Sequence, residues 1–95
     1  MPLSLYDHRY VLLRQELIQS RKSAKLTQVE LAAKLGVGQS LISKVERGDS
    51  CMAVLFFIEW CKACNTKPSI LIDSVAKLEH RNLGHINTPV EETEQ

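Results

Sequence analysis

The sequence contains no apolar run long enough to cross a membrane. The longest one extends from Met52 to Ile58, whereas a membrane-spanning helix needs about 20 apolar residues. No signal peptide is visible at the amino terminus. We therefore expect a cytoplasmic protein that makes no membrane contact.

Cysteines are few and odd in number. Cys51, Cys61 and Cys64 occur without a secretory signal, so we do not expect a disulfide framework. Cys61 and Cys64 have the spacing of a metal-ligand or redox pair, but no second pair and no suitably placed histidine would complete a zinc site. We expect Cys61 and Cys64 to pack in the core, and we expect neither a metal nor a cofactor.

The sequence also lacks the side-chain patterns of catalysis. It shows no nucleophile and base pair, no metal constellation and no phosphate-binding loop. We therefore do not expect an enzyme.

A strong charge excess is missing too. The chain has 12 Lys and Arg against 11 Asp and Glu, a net charge of +1, and this balance alone would not predict nucleic-acid binding. The charges are nevertheless unevenly spread, because residues 1–48 hold eight basic and four acidic side chains and residues 49–95 hold four and seven. This asymmetry indicates that one end of the protein faces a polyanion.

What the chain does contain is enough for one small domain. Its 95 residues, 44% of them hydrophobic, can build a single compact core but not two. We divide the chain into an amino-terminal extension (1–10), a domain (11–83) and an acidic tail expected to be disordered (84–95).

The stretch from Thr27 to Gly48 indicates two short helices joined by a tight turn. Thr27 can cap the first helix, with Glu30 reaching back in a capping box. Gly36 and Gly38 interrupt the helical pattern, and a second helix can begin near Gln39.

The second of these helices has two different sides. Ile42 and Val45 fall on one apolar stripe. The other side is polar and basic, which suits the major groove of DNA, and consists of Gln39, Ser40, Ser43, Lys44 and Arg47.

This stretch resembles the phage-repressor and Cro-like (XRE-type) helix-turn-helix DNA-binding family. The matching residues are Leu26-Thr27-Gln28, Leu31-Ala32, Gly36-Val37-Gly38-Gln39-Ser40-Leu41-Ile42-Ser43 and Val45-Glu46-Arg47-Gly48. A weaker match extends from about Val11 to Ile72. The resemblance implies an all-α, compact five-helix lambda-repressor-like domain. The chain pattern places the remaining helices from Asp7 or His8 to about 22–25, from Met52 to Cys64, and from Pro68 to about Arg81.

The resemblance also implies which residues contact DNA. Gln39 is the candidate base reader, because an amide can pair with adenine N6 and N7, and Gln28 would contact a phosphate and brace Gln39. Leu41 could touch a thymine methyl. The remaining candidates for base or phosphate contacts are Ser40, Ser43, Lys44, Arg47 and Lys34.

Two further features follow from the resemblance. Arg21 is expected to pair with Glu46 and so to connect the first helix to the third. The loop after Gly48 carries no lysine or arginine where family members often have basic residues or a proline, so fewer phosphate contacts are expected there.

A single domain of this size would bind DNA weakly, and the resemblance implies a homodimer on a palindromic site. The fourth helix is apolar on most sides, so we expect Phe56 and Trp60, with Leu55, to be covered by the amino-terminal extension or by a second subunit. The predicted dimer or packing surface consists of Phe56, Trp60, Leu71, Val75 and Leu78.

The sequence therefore predicts a sequence-specific transcriptional regulator of double-stranded DNA, acting as a repressor or autoregulator. The alternative is an antitoxin or anti-repressor on the same fold, whose main partner is another protein. The acidic tail and the expected exposed aromatic residues favour that alternative. The intact set of Gln28, Gln39, Ser40 and Lys44 opposes it.

Overall fold

The structure, a computed structural model, describes residues 7–78. These residues form five helices and no strand: α1 (His8–Ser23), α2 (Gln28–Leu35), α3 (Gln39–Arg47), α4 (Val54–Ala63) and α5 (Pro68–Ala76). The all-α five-helix prediction is confirmed. None of these helices is long and apolar enough to span a bilayer.

Local signals in the sequence set most of the helix boundaries. The predicted capping box is present, since Glu30 N donates to Thr27 Oγ1 at 3.0 Å and Thr27 N donates to Glu30 Oε1 at 2.9 Å. Gly36 ends α2 with a φ of +71°, a conformation that glycine adopts without steric cost. Pro68 occupies the first turn of α5, where a missing N–H costs nothing.

The core is built from all five helices. Its buried residues are Leu17, Leu31, Ala32, Ile42, Val45, Phe57, Trp60, Cys61, Cys64 and Leu71. Cys61 and Cys64 are thus core residues, as expected. Burial raises the pKa of the Cys61 thiol to about 11 and also raises the pKa of the Cys64 thiol, so both thiols stay protonated and unreactive near neutral pH.

The expectation that the amino-terminal extension or a second subunit covers Trp60 is wrong, because Trp60 belongs to the core that the helices share. Its side chain is fully buried, and its indole Nε1 donates to the carbonyl oxygen of Leu17 in α1 at 3.3 Å. Phe56 packs edge-on against it. The helix is apolar on most sides because it packs against three other helices, α1, α2 and α5.

Other residues of the predicted dimer surface are also buried or half-buried within the protomer. Leu71 is buried, and Val75 and Leu78 are half-buried. The exposed apolar side chains of this region are instead Val54 and Leu55, at 72% and 76% exposure, together with Ile70 and Ile72.

Helix α5 is shorter than predicted. It ends at Ala76, with Lys77 as its cap, rather than near Arg81. Leu78 N already donates three residues back, to the oxygen of Val75, at 3.1 Å. Short helices depend on tertiary packing, and beyond Leu71 every residue of this helix is half-buried or exposed.

The predicted domain boundaries are only partly covered by the described residues. Helix α1 already includes residues 8–10 of the predicted extension. The rest of the extension, residues 1–6, lies outside the described residues, as do Arg81 and the predicted tail.

Candidate nucleic-acid interface

An ion pair between α1 and α3 anchors the candidate site. Arg21 Nε lies 2.6 Å from Glu46 Oε2, and Arg21 Nη2 lies 3.1 Å from Glu46 Oε1, so the contact is bidentate. The two side chains are only 11% and 7% exposed. Arg21 Nη1 also donates to the oxygen of Leu26 at 2.8 Å. The predicted pair is confirmed, and it fixes the turn before α2 as well.

Glu46 starts a row of amide hydrogen bonds that reaches the surface. Gln28 Nε2 donates to Glu46 Oε1 at 2.9 Å, and Gln39 Nε2 donates to Gln28 Oε1 at 2.6 Å. A carboxylate can only accept, so Gln28 must turn its NH₂ group toward Glu46 and its oxygen toward Gln39. The ion pair therefore dictates how both amides are oriented.

The orientation of the Gln39 amide is therefore fixed, and part of its hydrogen-bonding capacity remains available to a ligand. It is exposed at the first position of α3, and the bond to Gln28 uses one of its two amide hydrogens. The remaining N–H and the Oε1 oxygen are the donor and acceptor that adenine N7 and N6 require. The predicted bracing of Gln39 by Gln28 is confirmed, and it reduces the rotamer entropy lost on binding.

The outward side of α3 is arranged in two rows. Gln39, Ser43 and Arg47 follow one another at intervals of four residues and so lie on one stripe. Ser40 and Lys44 form the adjacent row, and both are exposed. Ile42 and Val45 are buried on the opposite side, and Leu41 is half-buried against the core.

The amino-terminal end of α3 is left open for an anion. Its cap residue is Gly38, which supplies no side-chain hydrogen bond. The first N–H groups of a helix lack partners within it, so an acceptor such as a phosphate oxygen can bind them.

The predicted cations differ in their surroundings. Arg47 Nε lies 3.0 Å from Asp49 Oδ2, and Arg47 Nη1 donates to Ser43 Oγ. Lys44 makes no hydrogen bond or ion pair among the described residues. Lys34 is exposed at the end of α2 remote from Gln28. It lies near Cys64. Burial raises the pKa of the Cys64 thiol, and a hydrogen bond with Ser20 and the positive charges of Arg21 and Lys34 partly offset that increase.

Three supporting contacts were not anticipated from the sequence. Tyr10 Oη accepts a hydrogen bond from Met52 N at 3.1 Å, and the guanidinium of Arg14 lies over the ring of Tyr10. That guanidinium also packs against Gly48, where an added Cβ would lie 2.6 Å from its carbon. The start of α1 therefore supports the end of α3, a contact between residues too distant in sequence for any local pattern to reveal.

Comparison with known proteins agrees with this geometry. A helix-turn-helix family model matches residues 17–71. This chain belongs to the XRE-type helix-turn-helix family. Among solved structures, it is similar to an "XRE-family like protein" from Pseudomonas syringae pv. tomato str. DC3000, with 36% identity and a TM-score of 0.69. That match covers 73% of this chain and 84% of the other. No curated protein gave a significant match.

Membership of the XRE-type family establishes the general class of the protein. The domain has a DNA-binding transcription-regulator fold, and the family is typically non-enzymatic.

Proposed function

We propose that this XRE-type domain is a sequence-specific regulator that reads the major groove of double-stranded DNA with α3. In this proposal Gln39 reads a base edge, Leu41 touches a thymine methyl, and Gln28 and Lys44 contact phosphates. Occupation of a promoter would then repress transcription or regulate the protein's own gene.

The observation that carries the proposal is the row of hydrogen bonds from Glu46 through Gln28 to Gln39. A solvated glutamine on a helix surface has no need of such support. Here a nearly buried ion pair fixes the orientation of an exposed amide and leaves it one donor and one acceptor. Preorganised polar groups of this kind lower the cost of recognition.

A homodimer completes the proposal. One domain contacts too little DNA for tight binding, whereas two α3 helices about 34 Å apart can enter successive major grooves. The surface that supports pairing is a groove of about 380 Å³ between α1, α4 and α5, lined by Leu13, Val54, Phe57, Ile58 and Ile72 among others.

The test is selection of bound duplexes from a random DNA pool, combined with measurement of mass in solution. We expect a palindromic sequence and a protein of twice the chain mass. Failure to enrich any sequence, with no affinity for duplex DNA at low ionic strength, would contradict the proposal. An asymmetric site bound by a monomer would contradict the proposed dimer but would be compatible with base reading by α3.

The second candidate function is that of an antitoxin or anti-repressor that binds another protein. The same apolar groove favours it, as does the absence of lysine and arginine from residues 48–53. Stable heterocomplex formation with a toxin encoded by a neighbouring gene, without selective DNA binding, would distinguish it from the regulator.

A further inference from the structure

The carboxyl-terminal end of α3 carries an ion pair on its outward side. Arg47 Nε donates to Asp49 Oδ2 at 3.0 Å, and Arg47 Nη1 donates to Ser43 Oγ. Both charged side chains are 58% exposed. Because Ser43 and Arg47 share a stripe with Gln39, the guanidinium lies along the side of α3 that would face DNA.

The backbone holds Asp49 in this position. Gly48 adopts a left-handed conformation with a φ of +84°, and Asp49 N donates to the oxygen of Lys44 at 2.8 Å. This is the usual way in which a glycine closes a helix and fixes the residue after it. The carboxylate therefore stays beside Arg47 as long as the end of α3 is intact.

Stability of the fold does not account for this carboxylate. The carboxyl-terminal end of a helix carries a partial negative charge, which disfavours an acid and favours a base. An exposed ion pair also contributes little to folding. Asp49 is therefore unfavourably placed with respect to α3, and its main effect is on the charge of the surface around Arg47.

That effect opposes binding to the DNA backbone. Affinity for DNA of any sequence depends on how many phosphates the protein neutralises, because each one releases bound counterions. A guanidinium that is already neutralised adds little to that number, and a phosphate approaching it also meets Asp49. No lysine or arginine in residues 48–53 compensates.

We propose that Asp49 is a specificity-determining residue, an inference that rests on the proposed function. Asp49 neutralises Arg47 and so weakens the sequence-independent part of DNA binding. Recognition then depends on the opposite end of α3, where Gln39 is braced. The expected consequence is a higher ratio of specific to non-specific affinity than the same domain would have without the carboxylate.

The test is a double-mutant cycle of the wild type, Asp49→Asn, Arg47→Ala and the double variant. Each protein is titrated with a fluorescein-labelled duplex of random sequence over a range of salt concentrations, and anisotropy reports binding. We expect Asp49→Asn to bind roughly three- to tenfold more tightly at low salt, with a salt slope steeper by about 0.9 per protomer. Arg47→Ala should change wild-type affinity by less than about twofold but abolish the gain in Asp49→Asn.

The matched control is Asp73→Asn, which removes the same charge from an exposed position on α5. It measures the effect of net charge alone, and circular dichroism confirms that each variant is folded. If the wild type binds DNA but Asp49→Asn binds no more tightly than Asp73→Asn, the proposal that Asp49 neutralises Arg47 is wrong. The proposed function would still stand. An equal loss from Arg47→Ala in both backgrounds overturns the neutralisation by Asp49 as well. Absence of binding to any duplex by all variants overturns the proposed function together with the inference.

Discussion

The two ends of α3 hold their polar side chains in contrasting ways. At the amino-terminal end, Gln39 is braced through Gln28 to Glu46, whose side chain is 7% exposed. At the carboxyl-terminal end, Arg47 is paired with Asp49, and both are 58% exposed. Burial strengthens an electrostatic contact, while solvent and salt screen an exposed one. The contact at the first end is therefore held in a fixed geometry, whereas the ion pair at the second end is open to screening by water and salt.

The largest effect is expected from removing the buried anchor. Glu46→Ala leaves Arg21 nearly buried without its partner and Gln28 without its acceptor, which should lower the free energy of unfolding by about 3–5 kcal/mol. Urea denaturation of the purified protein measures this loss.

The matched change at the exposed end is Asp49→Ala, which should alter stability by less than about 0.5 kcal/mol. Similar losses in the two variants would show that the contrast between the two ends is wrong. Glu46→Gln, which retains an acceptor but loses the charge, should fall between them.

The next effect concerns base reading at the braced end. Gln39→Ala should cost roughly 1–3 kcal/mol on the selected DNA site and relax the preference at one base position. Lys44→Ala, by contrast, should weaken binding to all sequences to a similar degree and flatten the salt dependence by about one unit.

Competition titrations with selected and random duplexes separate these two behaviours. Equal losses on both duplexes for Gln39→Ala would exclude it as a base reader. Gln28→Ala should reproduce part of the Gln39 effect, because it removes the brace.

A smaller effect is expected at the glycines that close α2 and α3. Both have positive φ, so alanine is strained at either position, at a cost of about 1 kcal/mol. At Gly36 the added Cβ meets open space, whereas at Gly48 it meets the guanidinium of Arg14. Gly48→Ala should therefore be the more destabilising of the two.

Thermal unfolding compares these glycine variants. In an Arg14→Ala background the difference between them should shrink, because the obstructing side chain is gone. A difference that persists unchanged would mean that Arg14 does not set the cost at Gly48.

The smallest effect is expected from relieving a strained turn away from both ends of α3. Lys25, between α1 and α2, has a φ of +61°, which is costly for a side chain without local hydrogen bonding. Lys25→Gly should stabilise the fold by about 0.5–1 kcal/mol and leave the row from Glu46 to Gln39 unchanged. Asn65→Gly, at a φ of +57°, should gain less because asparagine tolerates this conformation. Paired denaturation curves check both changes, and destabilisation by Lys25→Gly would refute the account of strain.

Helix-turn-helix geometry was accessible from the sequence because its signals are local. Thr27 and Glu30 form a capping box across one turn, Gly36 ends α2, and the spacing of Gln28, Gln39 and Glu46 carries the family resemblance. The brace on Gln39 and the pair between Arg21 and Glu46 followed from that resemblance, and the structure confirms both.

The sequence by itself thus determined the five-helix fold, the α2–α3 unit and the identity of its outward side chains, because caps, turns and helical periodicity act over a few residues. Only the structure decided that Trp60 and Leu71 belong to the protomer's own core, that α5 stops at Ala76, and that Arg47 pairs with Asp49. A periodic pattern states that a face is apolar or charged, but the neighbouring helices and the geometry at a helix end decide what covers it.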